Sequence, residues 1–423
     1  MTQRIRQTLV ILAMVFIAGT ALAWVGWLPF GKSLPPIPVG ILHSFTGTMA
    51  ISEIPVAEAE QLAIDEINAE GGLLGGRKVL AIRADGCSDG PTFAREANLL
   101  LTREKVCAVF GCWTSASRKT VRPIFEQRNG LLFYPVQYEG LEESPNIIYL
   151  GAAPNQQIIP AVKWTFDNLG QRFYLVGSDY VFPRAANAVI TDQIKALGGT
   201  IVGEDYIPLG SSDTKAVVDR IKAAQPDVIL NTINGDTNIA FFRSLRAADI
   251  YPTRIPTVSF SIGENELPKL DPSRCIGDYA VWNYFQTQPG VRNSAFVAAF
   301  QKKYGPHRVV SDPMEAAYCG VKLWAQAVEE AGTEATEDVQ NTILDQSMAA
   351  PEGVIMIDPE TRHTWRPVRV GLIRADGQFS IVWDSERPIR PQPFPLSRTR
   401  SDWEKFLERL YAGWQNNWSA PAS

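Results

Sequence analysis

Histidine is scarce in this chain: three occur in 423 residues, at His43, His307 and His363. They stand far apart and form no HExxH pair, so a histidine-ligated metal or a histidine general base would have to be assembled by the fold from distant segments. Cysteine is also sparse. Cys87, Cys107, Cys112, Cys275 and Cys319 make an odd count at irregular spacing, unlike a disulfide scaffold. Cys107 and Cys112 are separated by five residue steps of about 3.3 Å in extended chain, beyond bonding reach, and buried free thiols are expected. No excess of positive charge exists either: 40 Lys and Arg against 45 Asp and Glu give −5, which argues against nucleic acid as a partner. There is no GxSxG elbow and no close carboxylate pair that recommends general acid–base work. The glycines at 71, 72, 75 and 76 precede Arg77-Lys78 without the Lys-Ser/Thr that opens a phosphate-binding helix. Together these absences predict a protein that is not an enzyme and has neither metal nor cofactor.

What is present describes an exported α/β protein. Arg4 and Arg6 precede an apolar run from Leu9, and Ala21-Leu22-Ala23 has the form of a signal-peptidase site. Trp24 to Phe30 extend the run to about 22 residues, enough for an uncleaved membrane anchor, so both readings stand. From Ile37 onward, short apolar runs alternate with helical patterns, the signature of parallel sheets with crossover helices. Strands are expected over 37–42, 78–82, 106–110 and 131–134, with helices over 57–69 and 118–128. The pattern restarts with strands over 173–176, 200–205, 228–232 and 257–260, and a long helix opens at Asp312. Val354 to Ile357 and Val368 to Ile373 read as a terminal hairpin. At the far end, prolines 388, 391, 393 and 395 mark an extended linker. Ser401 and Glu404 read as a capping box for an amphipathic helix carrying Trp403, Phe406, Leu407, Leu410, Tyr411 and Trp414. That aromatic stripe either docks on the body or meets a membrane surface or partner.

Several strands end in clusters of small, hydroxyl and aromatic residues, and in doubly wound sheets ligands bind beyond the carboxyl ends of strands. The clusters are HSFTGTMA from His43, VFGCWTSASRK from Val109, LLFYPVQYEGLEESPNIIYLGAAPNQQ from Leu131, GSDYVFPR from Gly177, NGDTN from Asn234 and DPMEAAY from Asp312. Over about 37–388 these strings resemble the type I periplasmic substrate-binding proteins, within them the urea-binding components of urea ABC transporters. The resemblance implies two doubly wound parallel-sheet lobes joined by a three-segment hinge, a solute held between them, and delivery to an ABC permease in the inner membrane. It divides the chain into a signal peptide or anchor (1–34), a first lobe (36–153 with 283–348), a second lobe (154–282 with 349–385) and a Pro-rich linker with tail helix (386–423). Location outside the cytoplasm follows, with possible membrane contact through the termini.

Urea or a short amide offers N–H donors and one carbonyl, so its site must supply oxygens and at least one donor. Thr114, Ser115 and Ser117 stand at a predicted helix start, and Ser115 with the neighbouring backbone suits the carbonyl. Asp236, Tyr180, Tyr138 and Gln137 could accept from the NH2 groups, and Trp113, Tyr134 and Phe182 could wall the site. Each has a plainer role open to it: Ser115 as a helix cap, Asp236 as a turn former, Tyr134 and Phe182 as core. His43 and Arg118 are expected beside the site or in solvent. An amino acid is the alternative solute, its carboxylate at the same helix start; a membrane-anchored amide sensor is a further alternative. A solute of four heavy atoms gains at most roughly 6 kcal/mol, so a dissociation constant of tens of micromolar is expected.

Overall fold

A computed structural model describes residues 34–421. The apolar segment read as a signal peptide or anchor lies outside the described residues. Among the described residues, no helix is long and apolar enough to cross a membrane.

In chain order the first lobe begins β1 (Ile37–His43), α1 (Ala50–Ala69), β2 (Val79–Asp85), α2 (Gly90–Thr102), β3 (Ala108–Gly111), α3 (Ser115–Arg128), β4 (Leu132–Tyr134) and β5 (Ile147–Tyr149). These five strands form one parallel sheet ordered β2-β1-β3-β4-β5. Its central strands are apolar throughout because helices cover both faces: Ile37, Val39, Ile41, Val109, Phe110 and Phe133 are fully buried. Gly111 is obligatory where β3 leaves the sheet. Its φ is +144°, and an added Cβ would lie 2.0 Å from the Leu42 carbonyl oxygen.

The chain then passes through Pro154–Gln156 into α4 (Ile158–Asn168), β6 (Arg172–Ser178), α5 (Val181–Leu197), β7 (Thr200–Ile207), α6 (Lys215–Ala224), β8 (Val228–Thr232), α7 (Thr237–Ala247) and β9 (Thr257–Ser259). Two short helices, α8 (Leu267–Leu270) and α9 (Pro272–Cys275), lead to β10 (Tyr279–Trp282). Next come α10 (Val291–Tyr304), α11 (Asp312–Ala331) and α12 (Thr336–Thr342), with Ala316, Val321 and Trp324 of α11 in the same core as Ile37 and Val39 of β1. The strands β11 (Ser347–Ala350), β12 (Gly353–Ile357), β13 (Thr364–Trp365), β14 (Arg369–Ile373) and β15 (Phe379–Asp384) precede the final helix, α13 (Arg400–Gly413). The second large sheet is ordered β15-β14-β10-β9-β8-β6-β7. It is parallel except where β14 pairs antiparallel with both β10 and β15.

Three sequence expectations are corrected. β12 and β14 do not form a hairpin. β12 pairs with β11 and β13 in a small antiparallel sheet and leaves Val354 61% exposed, whereas β14, nearly all buried, fits between two strands of the large sheet. The tail helix is capped by Thr399, whose hydroxyl accepts from the Asp402 N–H; Ser401 lies inside the helix, so the capping box is not formed. Helix α3 starts at Ser115, three residues before the expected Arg118, because the Thr114 hydroxyl accepts from the Ser117 N–H and nucleates the first turn.

The aromatic stripe of α13 folds back on the second lobe. Trp403 is fully buried and donates through Nε1 to the Pro395 carbonyl at 2.9 Å, while Phe406, Leu407, Leu410 and Trp414 pack on the core that holds α5. The five cysteines are free; Cys112, Cys275 and Cys319 are buried, Cys107 partly so, and Cys87 is exposed.

Candidate functional site

Behind the β1 loop lies a buried charge cluster. His43, fully buried, places Nδ1 3.1 Å from Glu53 and Nε2 3.1 Å from Glu60, both on α1. Burial opposes an imidazolium, but the Glu60 and Glu53 carboxylates outweigh it and raise the pKa to about 9. Glu53 also accepts the Ser44 N–H at 2.8 Å, so this carboxylate ties the loop to the first turn of α1. His43 is thus a charged support for the loop and not solvated.

The loop after β3 leads into α3, where Thr114 caps the helix and Ser117 faces the cleft. Ser115 is otherwise engaged. Its hydroxyl donates to the Glu139 carboxylate and receives Arg118 Nη1 at 3.1 Å, so it is not aimed at a solute carbonyl. Arg118, fully buried, also meets Glu142 at 2.8 Å and Glu139 at 3.3 Å. Its guanidinium lies 4.7 Å from the Tyr134 ring centre and 4.4 Å from that of Tyr138. Arg118, Lys119 and Arg122 together overcome burial and hold the Glu142 carboxyl well below its usual range. Tyr134 donates its hydroxyl to the Trp113 carbonyl at 2.6 Å. Tyr138 stacks with Tyr149 and His363 and shares a hydrogen bond with His363, behind the cleft. Burial lowers the His363 pKa to about 4, so its ring is neutral.

From the second lobe, Tyr180 sits in extended conformation immediately before α5, fully buried beside Phe182, with ring centres 6.3 Å apart. Burial raises its hydroxyl pKa well above 10, and Tyr134 and Glu139 lie near enough to add to that. Asp236, just before α7, accepts a hydrogen bond from Thr48 of the first lobe. Gly235 allows this approach: its φ is +66°, and an added Cβ would lie 3.0 Å from Met49 Sδ. Deeper in the contact, Ser52 Oγ donates to Glu266 Oε1 at 2.8 Å. Gln137 Nε2 donates to the Phe260 carbonyl at 2.8 Å, leaving Gln137 Oε1 buried without a partner.

Between the lobes lies a cavity of about 330 Å³ whose walls include Thr48, Met49, Glu53, Thr114, Ser117 and Asp179. Of the nine residues expected to bind solute, Thr114 lines this cavity. Asp236 adjoins it through Thr48. Trp113 and Tyr180 are buried next to Thr114 and Asp179, which line it, Phe182 is buried beside Tyr180, Gln137 is not among the lining residues, and Ser115, Tyr134 and Tyr138 stand behind it around Arg118. Sequence reasoning passed over Glu53. Its signal was a carboxylate on the first turn of the helix that follows a Ser-Phe-Thr-Gly-Thr loop. Among the described residues the lining carries three carboxylates, Glu53, Asp89 and Asp179, and no Lys, Arg or His. Asp179 pairs with Arg184 at 2.8 Å and Asp89 caps α2. The Cys112 thiol is fully buried and its pKa raised by that burial, which removes it as a nucleophile.

Comparison with known proteins shows the family to which the chain belongs. The model for the periplasmic binding protein domain matches residues 37–400. A Leu/Ile/Val-binding protein homolog 8 of Brucella abortus is 25% identical over 399 residues, spanning 86% of this chain and 94% of that one. A limonene hydroxylase of Geobacillus stearothermophilus is 33% identical over 117 residues, which span 28% of this chain and only 21% of that protein. Among solved structures, an ABC transporter solute binding protein from R. palustris in complex with 4-hydroxybenzoate superposes with TM-score 0.75 at 23% identity, covering 85% of this chain and 98% of its own. A branched-chain amino acid transporter substrate binding protein from Streptococcus pneumoniae, in complex with isoleucine, gives TM-score 0.72 at 19% identity, covering 84% and 100%. At these identities the likeness is one of fold.

Proposed function

The chain belongs to the periplasmic binding protein domain family, and from that premise we propose that it captures a small N–H-donating solute, urea or a short amide, between its lobes and delivers it to an ABC permease. It acts outside the cytoplasm, as the charged and apolar N-terminal segment suggests. The observation that carries the solute class is the cavity lining: among the described residues, three carboxylates and no cationic side chain. A carboxylate solute such as a benzoate would meet like charge there, whereas NH2 groups meet acceptors.

In this reading Glu53 and Asp179 receive the N–H groups, and Thr114, Ser117 and the start of α3 face the carbonyl, while Gln137, bonded to the Phe260 carbonyl, lies outside the lining. Trp113, Tyr180 and Phe182 exclude water. Asp236 closes the lobes through Thr48, and Ser115, Tyr134 and Tyr138 hold the wall from behind through Arg118.

An amino acid is the second reading. The same carboxylates could take an ammonium while the α3 N-terminus takes the carboxylate. Calorimetric titration of the exported chain with urea, acetamide, L-leucine and 4-hydroxybenzoate tests both. Binding of urea or acetamide without the others supports the proposal; leucine alone transfers the site to the second reading, and 4-hydroxybenzoate alone removes both.

A further inference from the structure

The segment beyond α13 takes part in the cavity. After Gly413 the chain turns back and runs antiparallel to residues 179–181. Val181 N–H donates to the Trp418 carbonyl at 2.9 Å, and Ala420 N–H donates to the Asp179 carbonyl at 3.0 Å. Asn417, Ser419, Ala420 and Pro421 thereby form one side of the interlobe cavity, opposite Thr114 and Ser117.

The two lobes hold this segment unequally. On the second lobe it has two backbone hydrogen bonds, the buried Trp403 anchor of α13, and the Arg398–Asp192 ion pair at 2.7 Å to α5. The linker and α13 also reach the first lobe, through the Leu141 N–H to the Pro393 carbonyl at 2.8 Å and the Arg400–Glu143 ion pair at 3.0 Å. Residues 414–421 themselves meet that lobe through Trp418, with Lys119 Nζ 5.2 Å from its ring centre, and border a second void of about 330 Å³ with Pro91, Arg122 and Pro123. Residues 414–421 have their backbone hydrogen bonds to the body only on the second-lobe side among the described residues, so they move with that side when the lobes part, with the Arg400–Glu143 pair giving way.

We propose that residues 414–421 are a wall of the solute cavity, carried by the second lobe, that closes the cavity mouth when the lobes meet. The inference rests on the reading of this cavity as the solute site, but its geometry can be tested without solute. The reporter is Ala116→Cys, at a cavity-lining position of α3, in a Cys87→Ser, Cys107→Ser background. Its labelling by a maleimide is followed in the full chain, in a chain ending at Gly413, and with Ala420→Pro, which removes the donor to Asp179 while keeping α13. Labelling at least tenfold faster in either altered chain supports the wall. Equal rates within twofold in the altered chains, with circular dichroism unchanged, overturn it. If the shortened chain does not fold, Ala420→Pro and Trp418→Ala decide by the same measurement. Because no solute is added, a failure here leaves the solute reading standing, whereas a failure of every titration removes the solute from the cavity and leaves only the wall's geometry.

Discussion

Replacing Ser52 by alanine should open the protein. Ser52, on the first turn of α1 and 2% exposed, donates at 2.8 Å to Glu266 of the opposite lobe, 5% exposed. Glu266 has one other polar anchor in the contact, the Gly263 N–H at 3.0 Å, and burial already raises its pKa. When the lobes part, water takes over both groups; when they meet, alanine leaves the Glu266 oxygen without its hydroxyl. A buried hydrogen bond to a charged acceptor contributes about 1.5 kcal/mol, so the closed-to-open ratio should fall about tenfold. If only the closed form holds solute, apparent affinity falls by the same factor wherever the open form dominates. Small-angle scattering without solute should show a larger radius of gyration, and titration should show the weaker binding. Ser52→Thr, which keeps the hydroxyl, should behave like the parent. A Ser52→Ala protein with unchanged scattering and affinity within twofold would refute the argument that this bond holds the lobes together.

The two buried histidines should give opposite pH responses. His43, raised from 6.5 to about 9, binds a proton more tightly folded than unfolded; its stabilisation is complete below pH 6.5 and is lost as pH rises toward 9, on the order of 3 kcal/mol in all. His363, lowered to about 4, contributes above pH 6.5 and loses that contribution as pH falls toward 4. Guanidinium unfolding across that range should therefore show His43→Gln flattening the alkaline limb and His363→Gln the acidic one; the opposite pairing would contradict the assignments. Arg118→Met removes the one guanidinium that bridges Glu139 and Glu142, leaving Lys119 2.8 Å from Glu142 and 3.6 Å from Glu139, and should cost about 3 kcal/mol, the low end for a broken buried pair, by the same unfolding assay. A loss below 1 kcal/mol would mean that the cluster is not the support described.

Much of this architecture is written locally. The apolar runs of β1, β3, β4, β6 and β8, and the helices between them, show their period in any short window, and their order alone dictates parallel sheets. Loop clusters at the strand ends could be found the same way, which is why Thr114, Tyr180 and Asp236 were legible as a group near one cleft. What could not be read depends on contacts between distant residues. Tyr138 looks like a cleft residue until His363, 225 positions away, stacks behind it. Ser115 looks free until Glu139 and Arg118 claim its hydroxyl. β14 has the composition of a hairpin partner for β12, and only the vacancy between β10 and β15 decides otherwise. The tail's return to Asp179 and Val181 uses backbone groups, which carry no side-chain signature at all.

Acetamide and acetate have nearly the same shape and differ in presenting an NH2 group or a second, charged oxygen. Titrating both into the full exported chain at neutral pH isolates the claim that the cleft is built to accept N–H donors. The proposed site binds acetamide and leaves acetate at least a hundredfold weaker; acetate binding as well as acetamide, or better, would contradict it.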